Sequence, residues 1–304
     1  MAATIGGALV LFVTVRRQWH AEIDSRQQQI TEQYSKAVEH LASDQAPARI
    51  VALHMLERIG QDNLEYRQRV ADALCGYLRM PYYPPVTQCI PGHNDGPDQK
   101  CAACDSLREE QVRRTVEQIL NTHVSPGNGS KGKAPASTYW GPLHLNLSGA
   151  VFYDFAFVGT QIASLNLANA RAINRLHIEH THIAGNADFT GAKFDAGAIL
   201  FDVTFHRDLR MRDVDDSEVF LVRCTIGDFC ELRTPGKTGG PYVQDCLIRI
   251  DASDFAVRHR KLPRGYTIKE VESPEGLTTP GQKGKWGLLD KADSKEKASP
   301  KTSS

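Results

Sequence analysis

The sequence predicts an α + β-solenoid chain, an N-terminal α-helical (HEAT-like) module followed by a quadrilateral β-helix. Three observations carry this. Apolar residues recur with a helical period between Glu22 and Met80 and again after Leu107. The stretch "SPGNGSKGKAPAST" then interrupts all periodicity. Beyond it, large apolar residues recur every five positions, a spacing that fits neither a helix nor a flat strand.

At 304 residues the chain has room for two domains. Its formal net charge is +0, unevenly spread: residues 144–232 hold 7 Lys+Arg against 12 Asp+Glu, and residues 233–304 hold 14 against 9. Neither bias marks a nucleic-acid binder, so nucleic acid is not an expected partner. The Cys count of 7 is odd and the positions are scattered, which argues for a reducing compartment rather than a disulfide framework.

The chain opens "MAATIGGALVLFVTVRRQWH", an uncharged apolar run followed at once by Arg16 and Arg17. A secretory signal would place its charge before the apolar run. Fourteen helical residues rise only about 21 Å, short of a roughly 30 Å hydrocarbon core. Residues 1–18 therefore fit a longer span cut short by a start assigned too late, a short interfacial anchor, or an apolar soluble end. As a span, Arg16 and Arg17 would hold the bulk of the chain on the cytoplasmic side of the plasma membrane.

In "ITEQYSKAVEHLA", Ile30, Tyr34, Ala37, Val38 and Leu41 share one helical face. Asp44 or Gln45 can cap the next helix, with Pro47 in its first turn. Ile50, Leu53, Leu56 and Ile59 form that helix's stripe, and Gly60 is expected to end it. "DNLEYRQRVADALCGYLRM" supplies a third helix, stopped by Pro81. Residues 81–106 read as a Pro- and Gly-rich loop. "LREEQVRRTVEQILNTHV" follows as a helix with Val112, Val116, Ile119 and Leu120 as its stripe. The helical module thus runs over 19–124, with a flexible linker at 125–138 as the domain boundary.

The five-residue rhythm begins after "YWGPLHLNL". Leu147, Phe152, Phe157, Ile162 and Leu167 keep one phase; Ile173, Ile178 and Ile183 keep a second. Phe189, Phe194, Ile199, Leu209, Val214, Val219 and Phe229 keep a third, with Thr204 and Cys224 in its weak slots. Five residues per side with two inward positions describe a short strand and a corner. Four such sides close a square coil, and coils stack at the roughly 4.8 Å strand spacing. Each phase slip is expected to be an extra residue at a corner. The solenoid is placed at 139–255, with "TYWGPLHLN" and "CLIRIDASDF" as its caps. The Lys- and Ser-rich stretch 256–304 is expected to be a mostly disordered basic tail.

The units "ADFTG" and "AKFDA", and partly "LNLAN", resemble the pentapeptide-repeat family, whose unit reads A-(D/N)-(L/F)-x-x. The preceding part, at Lys36–Asp44, Arg49–Ile59, Leu74–Tyr82 and Glu110–Leu120, is similar to a membrane-associated actinobacterial group of that family. The resemblance implies a right-handed coil, no catalytic residues and a protein partner of undefined identity. Some members act as DNA mimics that bind topoisomerases, a role that calls for a long, strongly acidic solenoid.

Among chemical candidates, Cys89, His93, Cys101 and Cys104 form a possible Zn²⁺ ligand set, since Cys-x-x-Cys is a usual knuckle spacing. A zinc-stabilised regulatory loop is therefore one expectation. His177, His180 and His182 invite a second metal reading, but the five-residue frame sends His177 and His182 outward on successive sides. "PGKTGG" lacks the first glycine of a phosphate loop. Asp188, Asp195, Asp202, Asp208, Asp213, Asp215 and Asp216 read as a solvated surface. With no catalytic constellation, no cofactor set and no small-molecule site visible, the expected function is a non-catalytic, membrane-associated interaction scaffold.

Overall fold

The computed structural model describes residues 2–85, 102–127, 135–214, 218–233, 241–251, 262, 265–271 and 285–291. The chain divides into two compact units, Met1–Val70 and Ala71–Ser304.

In the first unit, α1 (Ala2–Leu41) is one uninterrupted helix packed on α2 (Ala46–Asp62). Ala37 and Leu41 of α1 meet a core that includes Leu53, Leu56 and Ile59. Burying each of these large side chains stabilises the fold by about 1.5–3 kcal/mol. Val38 departs from expectation at 40% exposed, so the buried stripe of α1 is narrower than its apolar pattern. Gly60 does not end α2. The helix runs on to Asp62, where Asn63 caps it by donating both its backbone N–H and its Nδ2 to the Ile59 carbonyl. A one-turn 3₁₀ segment, Leu64–Tyr66, leads into α3 (Arg67–Leu78). Tyr66 is held there by the Thr31 hydroxyl at 3.2 Å and by the Tyr34 ring.

The second unit contains most of α3, α4 (Ala102–Val124) and the solenoid. The first coil is β1 (His144–Asn146), β2 (Val151–Phe152), β3 (Ala156–Val158) and β4 (Gln161–Ile162). The second is β5 (Ser164–Asn166), β6 (Arg171–Ala172), β7 (Leu176–Glu179) and β8 (His182–Ile183). The third is β9 (Ala187–Asp188), β10 (Lys193–Phe194), β11 (Ala198–Phe201) and β12 (Thr204–Phe205). β13 (Leu209–Arg212), β14 (Val219–Val222) and β15 (Thr225–Ile226) belong to the fourth, and β16 (Cys230–Arg233), β17 (Tyr242–Gln244) and β18 (Cys246–Arg249) to a fifth.

Strands of successive coils pair in parallel and form four sheets, one per side. The first side is β1-β5-β9-β13-β16, the second β2-β6-β10, and the third β3-β7-β11-β14-β17. On the fourth side β4-β8-β12-β15-β18 continues into β20 (Trp286–Lys291) and β19 (Tyr266–Val271), which run antiparallel. Two segments of the stretch expected to be disordered thus form a hairpin.

Each side sends two residues inward. In the second coil these are Leu165 and Leu167, Ala170 and Ala172, Leu176 and Ile178, then Thr181 and Ile183, all buried. The buried hydroxyl of Thr181 is satisfied by the Phe157 carbonyl at 2.8 Å. Within the first coil Phe152 meets Phe155 edge-on, with centroids 4.9 Å apart, and Phe155 stacks on Phe157 at 5.2 Å.

The expected phases hold as far as Phe194, except at Ile173; beyond Phe194, Leu209, Val214, Val219 and Cys224 are still buried, but Ile199 and Phe229 are not. Ile173, Ile199 and Phe229 are not interior, whereas Ala172, Leu200 and Cys230 are. Leu209, Val219 and Cys224 occupy the first inward position of their sides, with Met211, Leu221 and Ile226 in the second. The cause is two kinds of corner. Between the first and second sides, and the third and fourth, the chain turns through a left-handed residue, such as Asn169 (φ 57) or Asp202 (φ 55). At the other two corners one residue is added in the second and third coils, so inward positions there alternate five and six apart; in the fourth coil the stretch from Leu209 to Val219 is one residue shorter than that from Ala187 to Ala198. Asn146, Asn166 and Asp188 explain the acidic-or-amide slot of the repeat. Each accepts the backbone N–H two residues ahead, from Ser148, Ala168 and Thr190, and so fixes the turn.

Candidate functional site

Two features of the second unit concentrate chemistry: the contact between α4 and the first coil, and the outward faces of the solenoid.

A parallel coil leaves one row of backbone groups pointing away from the coil above. In the first coil, Ala150 and Phe152 offer their carbonyls upward to Arg171 and Ile173. The Val151 carbonyl and the Tyr153 N–H therefore point down, where no coil exists. Helix α4 meets them with two charged side chains. Arg113, 1% exposed, donates to the carbonyls of Val151 (3.2 Å), Leu78 (2.9 Å) and Met80 (2.9 Å), and pairs with Glu109 at 2.9 Å. Its guanidinium lies over the Tyr82 ring, 4.3 Å from the centroid. Glu117, 2% exposed, accepts the backbone N–H groups of Tyr153 (2.8 Å) and Asp154 (2.6 Å).

Burial pushes the Glu117 carboxyl up to about 7, against the opposing pull of those two donors. Arg114 borders the same corner, pairing with Glu110 and Asp154 and lying over the Tyr153 ring. The Tyr153 hydroxyl, in contact with that of Tyr82 at 2.7 Å, is held well above the usual phenol range by burial. Further along α4, His123 stacks on Trp140 with centroids 4.0 Å apart. The expected "TYWGPLHLN" cap is thus joined by a helix whose part in the cap the apolar periodicity does not show. A signal was present: Glu109, Arg113 and Glu117 follow each other at i+4, beside the stripe of Val112, Val116 and Leu120.

The outward faces differ in kind. The first side is polar, with a shallow depression of about 300 Å³ lined by Ser164, Asn166, Asn186, Asp188 and Arg210. The third side is apolar in its upper coils. Ile199, Phe201, Phe220 and Val222 are half-buried there, and Tyr242 is 42% exposed. The sequence conceals this strip, because the five-residue spacing from Phe194 places Ile199 in the interior. The outward acids are paired: Asp195 with Arg171, Asp208 with Arg210, and Asp202 with His180 and Arg223.

Of the proposed zinc ligands, Cys104 lies in the first turn of α4, while Cys89, His93 and Cys101 fall outside the described residues. His177, His180 and His182 do not converge. His177 faces outward beside Glu179 on the third side, His180 meets Asp202 at 2.9 Å on a corner, and His182 lies beside His206 on the fourth side. Burial, then His182, lowers the pKa of His206. Asp215, Asp216 and Pro235–Gly240 lie outside the described residues. Among the described residues no group of three His, Cys, Asp or Glu side chains is placed to hold a metal ion. Nor is any helix long and apolar enough to cross a membrane.

No family model, no curated protein and no solved structure matches this chain.

Proposed function

We propose that this chain is a non-catalytic interaction scaffold of the pentapeptide-repeat type, held at the cytoplasmic face of a membrane by the start of α1. The observation that carries the reading is the division of labour in the solenoid. Inward positions are filled by side chains, while outward ones build flat faces of distinct chemistry, polar on the first side and apolar on the third. Flat, periodic faces on a rigid coil suit the binding of a protein surface. The membrane part is supported by the apolar run that begins α1 and by Trp19, 70% exposed next to the Arg16–Arg17 pair. An aromatic and two cations beside an apolar helical segment suit an interfacial anchor. Pairing of the outward acids with arginines and a histidine weighs against a DNA mimic, which needs an unbroken acidic face.

The test is crosslinking in cells followed by affinity purification from separated membrane and soluble fractions. The scaffold reading expects a near-stoichiometric protein in the membrane fraction, lost when outward residues of one face are replaced. Recovery of topoisomerase from the soluble fraction would overturn both the scaffold and the anchor. Recovery of the same proteins whichever face is altered would overturn the scaffold.

A further inference from the structure

We infer that the third side of the solenoid is a self-association face, covered by the third side of a second copy. This goes beyond the scaffold reading and does not depend on it.

The face carries two outward columns in register across β11, β14 and β17. Ile199, Phe220 and Tyr242 form one; Phe201, Val222 and Gln244 form the other. The Phe220 and Tyr242 rings meet in a tilted contact with centroids 5.7 Å apart. Single exposed apolar residues are ordinary on a protein surface, but a contiguous block rimmed by charges marks a contact.

The rim says which occupant fits. On the corner leading into the face, Arg175 of the second coil reaches across the third. Its Nε donates to the Ala196 carbonyl at 2.9 Å, and its Nη2 pairs with Glu218 of the fourth coil at 3.3 Å. On the corner leaving the face, Asp202 of the third coil lies between His180 (2.9 Å) and Arg223 of the fourth (3.8 Å). Ascending the coils, one corner therefore reads positive then negative, and the other negative then positive.

A two-fold axis parallel to the solenoid axis sets each leading corner against the leaving corner of the second copy at the same height. Glu218 then faces Arg223 of the second copy, and the Arg175 guanidinium faces its Asp202. Turned end for end about an axis between the third and fourth coils, the second copy would set Arg175 against Glu218 and Asp202 against Arg223, so the corners complement a second copy in either arrangement. Opposed charges across the contact favour a second copy as the occupant. Such a contact is isologous, so it closes at two copies.

The face is small. Five strands about 4.8 Å apart and one side wide give roughly 400 Å² per copy, below the roughly 800 Å² of a standard interface. The expected dissociation constant is therefore weak, on the order of 100 µM.

The test is sedimentation velocity on the full chain in mild detergent, across a range from well below to well above that constant. The expected result is a monomer that becomes a dimer with concentration. Phe220→Glu and, separately, Tyr242→Glu should weaken it at least tenfold while leaving the thermal midpoint in place. Tyr242 is exposed enough to be replaced without disturbing the interior. A monomer throughout, or a dimer indifferent to both glutamates, would overturn the inference. If the chain stays monomeric but Tyr242→Glu loses a membrane-fraction protein, the face belongs to that other protein and the second copy is ruled out.

Discussion

The two ends of the solenoid face one physical problem and meet it with different materials. At the first coil the downward Val151 carbonyl and Tyr153 N–H are taken by Arg113 and Glu117, two buried side chains of α4. At the far end the upward row is taken mainly by backbone. β20 pairs antiparallel with β18, Leu247 opposite Leu288, and the Val243 N–H of β17 is received by the Tyr266 hydroxyl at 3.2 Å. A ladder of backbone bonds is uncharged, so its strength does not follow pH. A clasp of buried ions is stronger per contact but leaves a buried charge or an orphaned polar group when one partner is removed. The comparison teaches that a solenoid's ends need satisfied hydrogen bonds, and that the chemistry satisfying them decides how each end fails.

The largest expected effect comes from removing the guanidinium. Arg113→Met strands the carbonyls of Leu78, Met80 and Val151, and should cost about 3–5 kcal/mol in a denaturant titration. Arg113→Lys should recover only part of this, because an ammonium cannot span three carbonyls and a carboxylate in one plane. A loss under about 1 kcal/mol would mean the arginine is peripheral to the cap.

Next comes pH. Burial raises the Glu117 carboxyl to about 7 in the fold, above the ordinary carboxyl value of 4.5. A raised pKa means that the fold prefers the protonated form. That contribution is fully present below pH about 4.5 and is lost as pH rises through about 7. Unfolding free energy should therefore fall by about 3 kcal/mol between pH 5 and pH 8 from this group. Glu117→Gln should flatten that slope, read by denaturant midpoints at several pH values. An unchanged slope in the variant would assign the pH dependence elsewhere.

The smallest effect belongs to the far end. Tyr266→Phe removes one acceptor from the Val243 N–H and should cost about 1 kcal/mol, with no pH dependence between pH 5 and pH 8. A loss as large as that of Arg113→Met would erase the distinction between the ends.

Much of the interior was legible because a five-residue period leaves little choice. Phe152, Phe157, Ile162 and Leu167 can share an axis only in a square coil. Legibility failed at the corners. Ile199 is apolar and stands five residues after Phe194, yet the added corner residue turns it outward and sends Leu200 in. Apolarity marks a residue as able to be buried, not as buried, and a single added residue shifts which positions of the following side face inward. The apolar strip of the third side was hidden for the same reason. The clasp was hidden differently. Arg113 and Glu117 belong to residue types that usually stay in water, and only the backbone row beneath the first coil makes their burial favourable. The hairpin of β19 and β20 was masked by the Lys, Ser and Gly composition around it, although "YTIKEV" has the alternation of a strand.

The most direct test of the account is amide hydrogen exchange on the full chain, followed at Tyr153 and Asp154. If Glu117 stands in for a missing coil, both amides should be protected in the native chain. In Glu117→Ala they should lose at least tenfold in protection while Leu247 and Leu288 at the far end keep theirs. Equal protection at Tyr153 and Asp154 in both proteins would contradict the account, since the first coil would then be capped without the clasp.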